Sequence, residues 1–374
     1  MHSPLRSPRA AVPALLLATL AATVGVTLAA PTQAVAESAA SGDRTFFVDP
    51  ARGSDDAAGS KAQPWRTLAK VGSAALRPGD TVRLRAGRTH IGALDLRASG
   101  TRGAPITVTD YGRGRRPAVA GQNPCVRLAG DWVVVSRVAA LRCGEAGFVV
   151  DGDHDTVTDA RATGSVRGVW VREGADHALV SHSRLHDNDL MAPGTTGGDD
   201  DHGAQGVDIN GDHARVTRNL ITGHRAPSPD YGEDGAAVEV YQAVGTRVDH
   251  NRAVDNLAFT ELGGSRTSGT RYLRNRVSSR LDEGTFLMTR GGAQVWGPVN
   301  GTVAERNRVR LTGAHSFGFG CYGGCTPRIL TLRDNTISAG WYVGWVDGTF
   351  DSANNRYRGE LWFDLGPGDR AGGR

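Results

Sequence analysis

Short runs of this chain alternate apolar and polar residues with a period of two, and the runs recur. From about Gly121 a motif of Val or Leu, two variable residues, then Asn, Ser or Ala, one more residue and an aliphatic appears as VVVSRV (Ser136), VTDARA (Ala160), VSHSRL (Ser183), VTRNLI (Asn219), VDHNRA (Asn251), YLRNRV (Asn275), VAERNRV (Asn307) and LTLRDNTI (Asn335). The successive spacings are 24, 23, 36, 32, 24, 32 and 28 residues, a base period of 23 to 24 with insertions. Short β-branched strands at such a period, with Gly and Asn at the turns and no helical periodicity, predict a solenoid of stacked coils. Leucine-rich repeats share the period, but their leucine signature is absent. The expected fold is all-β, a single right-handed parallel β-helix, with alternate Val, Leu, Ile and Ala filling the core. At the turns, Asn tolerates left-handed dihedrals, and its amide can bond the backbone and the Asn of the coils above and below.

Upstream, RTFFVDP (Arg44 to Pro50) reads as a strand, Pro64 to Ala75 as a short helix with proline in its first turn, and TVRLRAG from Thr81 as a second strand. Such a strand-helix-strand unit suits an N-terminal cap, because a first coil would otherwise expose an edge and an open core. The expected organisation is therefore a leader over 1–36, a cap and first coils over 37–120, and a β-helix with inserted loops over 121–374. The leader rests on Arg6 and Arg9, an apolar run from Ala11 to Ala30, and the small-x-small sequence Ala34-Val35-Ala36. It predicts a secreted, extracellular protein without stable membrane insertion.

Within the periodic region, three strands carry an acidic residue among apolar ones. They are GVDIN with Asp208, AVEVY with Glu239 and FTELG with Glu261. Asp208 precedes Asn219 by 11 residues, Glu239 precedes Asn251 by 12 and Glu261 precedes Asn275 by 14. Equivalent or adjacent positions on successive coils would gather them into one carboxylate column. Close carboxylates cannot all ionise at their ordinary pKa, so one becomes an acid beside a base. Glu239 is the expected general acid, Asp208 the general base or nucleophile, and Glu261 a base or orienter. The competing readings are an exposed acidic stripe and a bound cation.

The insertions between Ser183 and Asn219, Asn219 and Asn251, and Asn275 and Asn307 fall on neighbouring coils and should form walls beside the column. Substrate contacts are expected from His202, Tyr241, Asp282, Glu283, Arg290 and Trp296, whose ring suits stacking on a sugar. Asp200, Asp201 and Asp234 are candidates for calcium, in a run without the fixed spacing of a calcium loop, and no cofactor is otherwise required. Trp341, Trp345 and Trp362 are expected chiefly to close the last layer, with a sugar platform as the alternative.

Composition narrows the partners. Charge is +4, carried by scattered arginines, and no basic stripe interleaved with aromatics marks a nucleic-acid surface. The expected partner is a polysaccharide or oligosaccharide, and the expected state a monomer. Four cysteines allow three pairings, of which the local Cys125–Cys143 and Cys321–Cys325 are favoured.

The stretch FVDPARGSDDAAGSKAQPWRTLAKVGSAALRPGDTVRLRAG resembles the N-terminal cap of the secreted pectate-lyase-like parallel β-helix superfamily, and the Asn-terminated coils resemble its repeat. The resemblance implies the fold but not the reaction, because the superfamily includes glycoside hydrolases, polysaccharide lyases, uronate epimerases and phage depolymerases. Many of its lyases imply calcium with a Lys or Arg base. Lys61 and Lys70 are the only lysines here and both lie in the cap, so a lyase or epimerase would need Arg or His as its base. Its polygalacturonase-like hydrolases imply three Asp residues, where this chain has a mixed Asp and Glu set. The acidic column favours a glycoside hydrolase with paired carboxylates; a lyase or epimerase and a non-catalytic carbohydrate-binding protein are the alternatives.

Overall fold

A computed structural model describes residues 43–372, apart from 193, 195–197 and 199. The expected leader over 1–36 lies outside the described residues. The description below concerns the unit Ser41–Arg374. No helix among the described residues is long and apolar enough to cross a membrane.

The coils stack as a largely parallel β-solenoid, consistent with a right-handed β-helix. One row of 12 strands runs from Thr45–Val48 to Asp351–Ala353. A second row includes Arg184–His186, Leu220–Thr222, Arg252–Val254 and Arg276–Ser279. A third includes Gln205–Ile209, Ala236–Tyr241, Ala258–Gly263 and Thr285–Arg290. At the N-terminal side, Ala139–Val150 and Arg161–Val171 run through the bend between the second and third rows, with Gly144 and Gly164 at positive φ where the chain turns. Rows already form from Thr81 onward and cross residue 120 without a break.

Alternation within each strand builds the core. In the first row Val135, Val157, Val180, Val216, Val248, Tyr272, Ala304 and Leu332 lie in register on successive coils, and all are buried. Tyr272 replaces an aliphatic without leaving a stranded hydroxyl, because its Oη lies 2.6 Å from Thr260 Oγ1.

The recurring asparagines form the predicted ladder. The Asn219 backbone N–H donates to Asn251 Oδ1 at 2.9 Å, Asn251 to Asn275 at 3.0 Å, Asn275 to Asn307 at 2.9 Å and Asn307 to Asn335 at 2.9 Å. The ladder continues beyond the motif through Asn355 to Asp369. The left-handed residue, however, is the one before each Asn: Arg218, His250, Arg274, Arg306 and Asp334 have φ of 53 to 57°. The asparagine is needed for its amide, which satisfies backbone groups that the bend removes from the sheet.

The cap helix spans Leu68–Ser73, four residues later than its proline suggested. Thr67 is its N-cap and accepts from the Lys70 backbone N–H, while Trp65 stays extended and bridges to Val48. Leu68 and Val71 are buried in the core cluster. Both expected disulfides are present. At the far end, Phe350, Phe363 and Tyr357 gather around Phe319 and close the last coil.

Candidate functional site

The third row sets the acidic residues in strict register, with Asp208 opposite Glu239 and Glu239 opposite Glu261. Their neighbours Val207, Ile209, Val238, Val240 and Leu262 are buried in the core, so alternation turns the three carboxylates outward. A slip of one residue would invert this arrangement. Adjacent rungs are about 4.8 Å apart, so the three carboxylates are successive neighbours.

Although they face out of the coil, Asp208 is buried and Glu239 only partly accessible, because the insertions rise beside them. Met191–Ala192 pairs with His202–Gly203, and Ala226–Ser228 with Gly232–Asp234, as antiparallel hairpins. The resulting cleft has a volume of about 750 Å³ and is lined by Asp208, Glu239 and Glu261 together with His202, Asp234, Tyr241, Glu283, Arg290 and Trp296.

The three carboxylates have unequal partners. Arg167 Nε donates to Asp208 Oδ2 at 2.6 Å and its guanidinium lies over the Trp170 ring. Arg290 pairs with Glu261 and donates to the Leu262 carbonyl at 2.7 Å. Glu239, between them, accepts from the neutral amide of Gln205, and no cation pairs with it among the described residues. Burial, reinforced by the charges of Asp208, Glu261 and Asp234, pushes the Glu239 carboxyl well above the usual range. Burial also pushes Asp208 up, against the pull of Arg167. Asp234 is held at about 7 by burial and by the Glu261 charge. A proton shared by this group therefore resides best on Glu239.

Tyr241 lies edge-on to Trp296 at 5.6 Å, and burial raises its hydroxyl to about 12. A Cβ at Gly263 would meet the Tyr241 ring at 2.6 Å, so the glycine gives that ring its place. Asp282 is outside the cleft lining; its Oδ2 lies 2.6 Å from Nδ1 of His315, which does line the cleft.

Asp200 and Asp201 meet Asp230, with ligand oxygens all within 4.8 Å, in a cluster compatible with a metal ion such as calcium. Asp234, the third expected ligand, is not in this cluster; it lines the cleft and feels the charges of both Glu261 and Asp201. Asp201 is also held by the Gly194 N–H at 2.9 Å and the Ser228 hydroxyl at 2.8 Å. Asp199 lies outside the described residues.

Sequence reasoning missed Arg167, Gln205 and His315. The signal for Arg167 was a lone arginine in the apolar strand SVRGVWV, since a buried cation needs a partner. Gln205 offered no such signal, because its role depends on Glu239, which the next coil brings beside it.

No protein-family model matches the chain. Over 112 residues, 26% of this chain, it is 39% identical to the lacto-N-biosidase of Bifidobacterium longum subsp. longum, a match spanning 7% of that protein's length. The solved structure of the GH136 lacto-N-biosidase from Eubacterium ramulus is similar with a TM-score of 0.56 at 14% identity, over 85% of this chain and 67% of that one. A pectate lyase structure is similar with a TM-score of 0.61 at 17% identity, over 84% and 79% of the two chains. The chain thus shares its parallel β-solenoid fold with both a glycosidase and a lyase.

Proposed function

We propose that the protein is a secreted glycoside hydrolase that cleaves an oligosaccharide or polysaccharide by paired carboxylate catalysis in this cleft. The observation that carries the reading is the unequal partnering of three carboxylates in register, with an arginine on each outer one and none on Glu239. The local 39% identity to a lacto-N-biosidase favours hydrolysis over elimination.

In this reading Glu239 donates its proton to the glycosidic oxygen as the Asp208 carboxylate attacks the anomeric carbon. The glycosidic bond breaks, the protonated leaving group departs and a glycosyl ester forms on Asp208. Glu239, now a carboxylate, takes a proton from water; the water oxygen displaces the ester and restores both groups. Neighbouring rungs about 4.8 Å apart suit the retaining separation of about 5 to 5.5 Å better than the inverting one. Arg167 favours the ionised form of the nucleophile against the burial that opposes it, and Glu261, fixed by Arg290, helps hold the proton on Glu239 by its charge.

The Asp200, Asp201 and Asp230 cluster supports a second reading, a cation-assisted lyase or epimerase. Arg167 and Arg290 are both committed to carboxylates, which leaves the cleft histidines, His202 and His315, as candidates for its base. One assay separates the readings: a panel of plant, algal, microbial and milk-type glycans scored for new reducing ends and for ultraviolet-absorbing double bonds. Hydrolysis predicts saturated reducing sugars of retained configuration. Unsaturated, chelator-sensitive products would establish elimination, and binding with neither product a non-catalytic role.

A further inference from the structure

Past the carboxylates, the cleft continues along the coil axis onto Phe317, Trp341 and Tyr342. The outward position of Ala236 is followed in register by Ala258, Thr285 and Phe317. The Tyr342 ring stacks on Phe317 at 5.2 Å, and Trp362 stacks on Tyr342 at 4.4 Å. At about 4.8 Å per rung, this aromatic floor begins at Phe317, three rungs or about 14 Å from Glu239. Trp341 stands edge-on to Trp362 at 5.7 Å, and these two indoles remain 40% and 43% exposed.

The end of the core does not need these indoles, because Phe350, Phe363 and Tyr357 already close it from inside. The expectation that the tryptophans chiefly cap the last layer therefore leaves their exposure unexplained. Trp362 is also tethered, its Nε1–H donating to Glu360 Oε1 at 2.7 Å, so one indole is held with its apolar surface available.

The cleft leading to this floor is strongly acidic. Eight carboxyl groups line it, those of Asp200, Asp201, Asp208, Glu233, Asp234, Glu239, Glu261 and Glu283, against two arginines, Arg167 and Arg290. Both arginines are already paired with cleft carboxylates. Even with Glu239 and Asp234 protonated, and with Arg225 3.6 Å from Glu233, the lining carries more negative than positive charge, so an anionic chain would be repelled. A neutral sugar meets no such penalty, since its hydroxyls donate to carboxylates and its ring faces cover indoles.

We infer that the cleft takes an uncharged oligosaccharide of several units, with a ring distant from the cleaved bond seated on the Trp341–Trp362 floor, and that it rejects polyuronates. This rests on the hydrolase reading for its cleaved bond, but the floor and the charge selection are tested by binding alone.

The test is a tryptophan-fluorescence titration of the full chain with two probe series of two, four and six units: neutral galactose and N-acetylglucosamine oligosaccharides, and oligogalacturonates. Affinity for the neutral series should rise about tenfold between two and six units, equivalent to about 1.4 kcal/mol. The oligogalacturonates should show no saturable binding. Trp341→Ser with Trp362→Ser should remove the dependence on length while leaving disaccharide affinity unchanged, read by calorimetry because the reporting indoles are gone. Trp341→Phe, which keeps a ring at an exposed position, should retain part of the gain. Tighter binding of oligogalacturonates, absence of neutral-chain binding, or an intact length dependence in the folded double variant would overturn the inference. Loss of turnover in Glu239→Gln reports on the hydrolase reading independently.

Discussion

Glu239 sits between Asp208 and Glu261 on adjacent rungs, and each of those neighbours holds an arginine. Its own partner is the Gln205 amide, which can stabilise a carboxylate but supplies no charge. Ionising Glu239 would place a third negative charge in a largely buried row of carboxylates, whereas leaving it protonated supplies the acid that glycosidic cleavage needs. Glu239→Gln is nearly isosteric and removes the transferable proton, so turnover should fall about 10²- to 10⁴-fold with the unfolding transition preserved, as checked by initial rates and urea melts. Asp234 gives a stability test with a defined sign. Its folded-state pKa of about 7 lies above an unfolded value of about 3.9, so its contribution is full below pH 4 and is lost as pH rises through 7. Asp234→Asn should therefore gain in melting temperature relative to the native chain between pH 4 and pH 8; a constant difference would contradict the assignment. The acidic residues were legible because a charge in an apolar strand is conspicuous. Their partners were less so, since Arg167 comes from the preceding coil and Gln205 acquires its role only once the next coil brings Glu239 beside it.

The coil is defined at its bends as much as in its strands. Asn251 Nδ2 donates to the Val216 carbonyl at 2.9 Å and to Asn275 Oδ1 at 3.1 Å, while its Oδ1 accepts from the Asn219 backbone. Asn251→Ala would leave buried backbone groups without partners and should cost about 3 kcal/mol by urea unfolding, since each stranded group costs about 1 to 3 kcal/mol. The preceding position behaves differently. Arg274 has φ of 54°, and Arg274→Gly should stay within about 1 kcal/mol of the native chain, because glycine relieves the left-handed conformation while loosening the unfolded one. Equal losses at the two positions would show that the backbone, not the amide, is the constraint. The repeat period and the identity of the ladder residues could be read directly, because hydrogen bonding between identical side chains on stacked coils demands sequence recurrence. The dihedral assignment could not, since Arg, His and Asp all occupy the left-handed position and no residue type marks it. Thr67 and Trp65 show the same limit in the cap, where tertiary pairing to Val48 keeps Trp65 extended and delays the helix.

Across the whole molecule, stacking converts a one-dimensional repeat into a cleft with an acidic centre and an aromatic end. Insertions on successive coils predicted the walls, and the observed hairpins supply part of them on the side of Asp208 and Glu239. The continuation onto Phe317, Trp341 and Tyr342 was hidden, because Phe317 is far in sequence from the other two and their alignment depends on the rungs between them. The fold is shared by a glycosidase and a lyase and does not itself choose between their chemistries, so the proposed hydrolysis turns on the protonation state of the column. The most direct measurement is a pH titration of carboxyl ¹³C resonances in the native protein, with Glu239 assigned by difference against Glu239→Gln. The account predicts that the Glu239 carboxyl remains protonated well above the ordinary glutamate value of about 4.3, while Asp208 is ionised at neutral pH. A Glu239 resonance titrating near that ordinary value, with the proton on Asp208 or Glu261 instead, would contradict it.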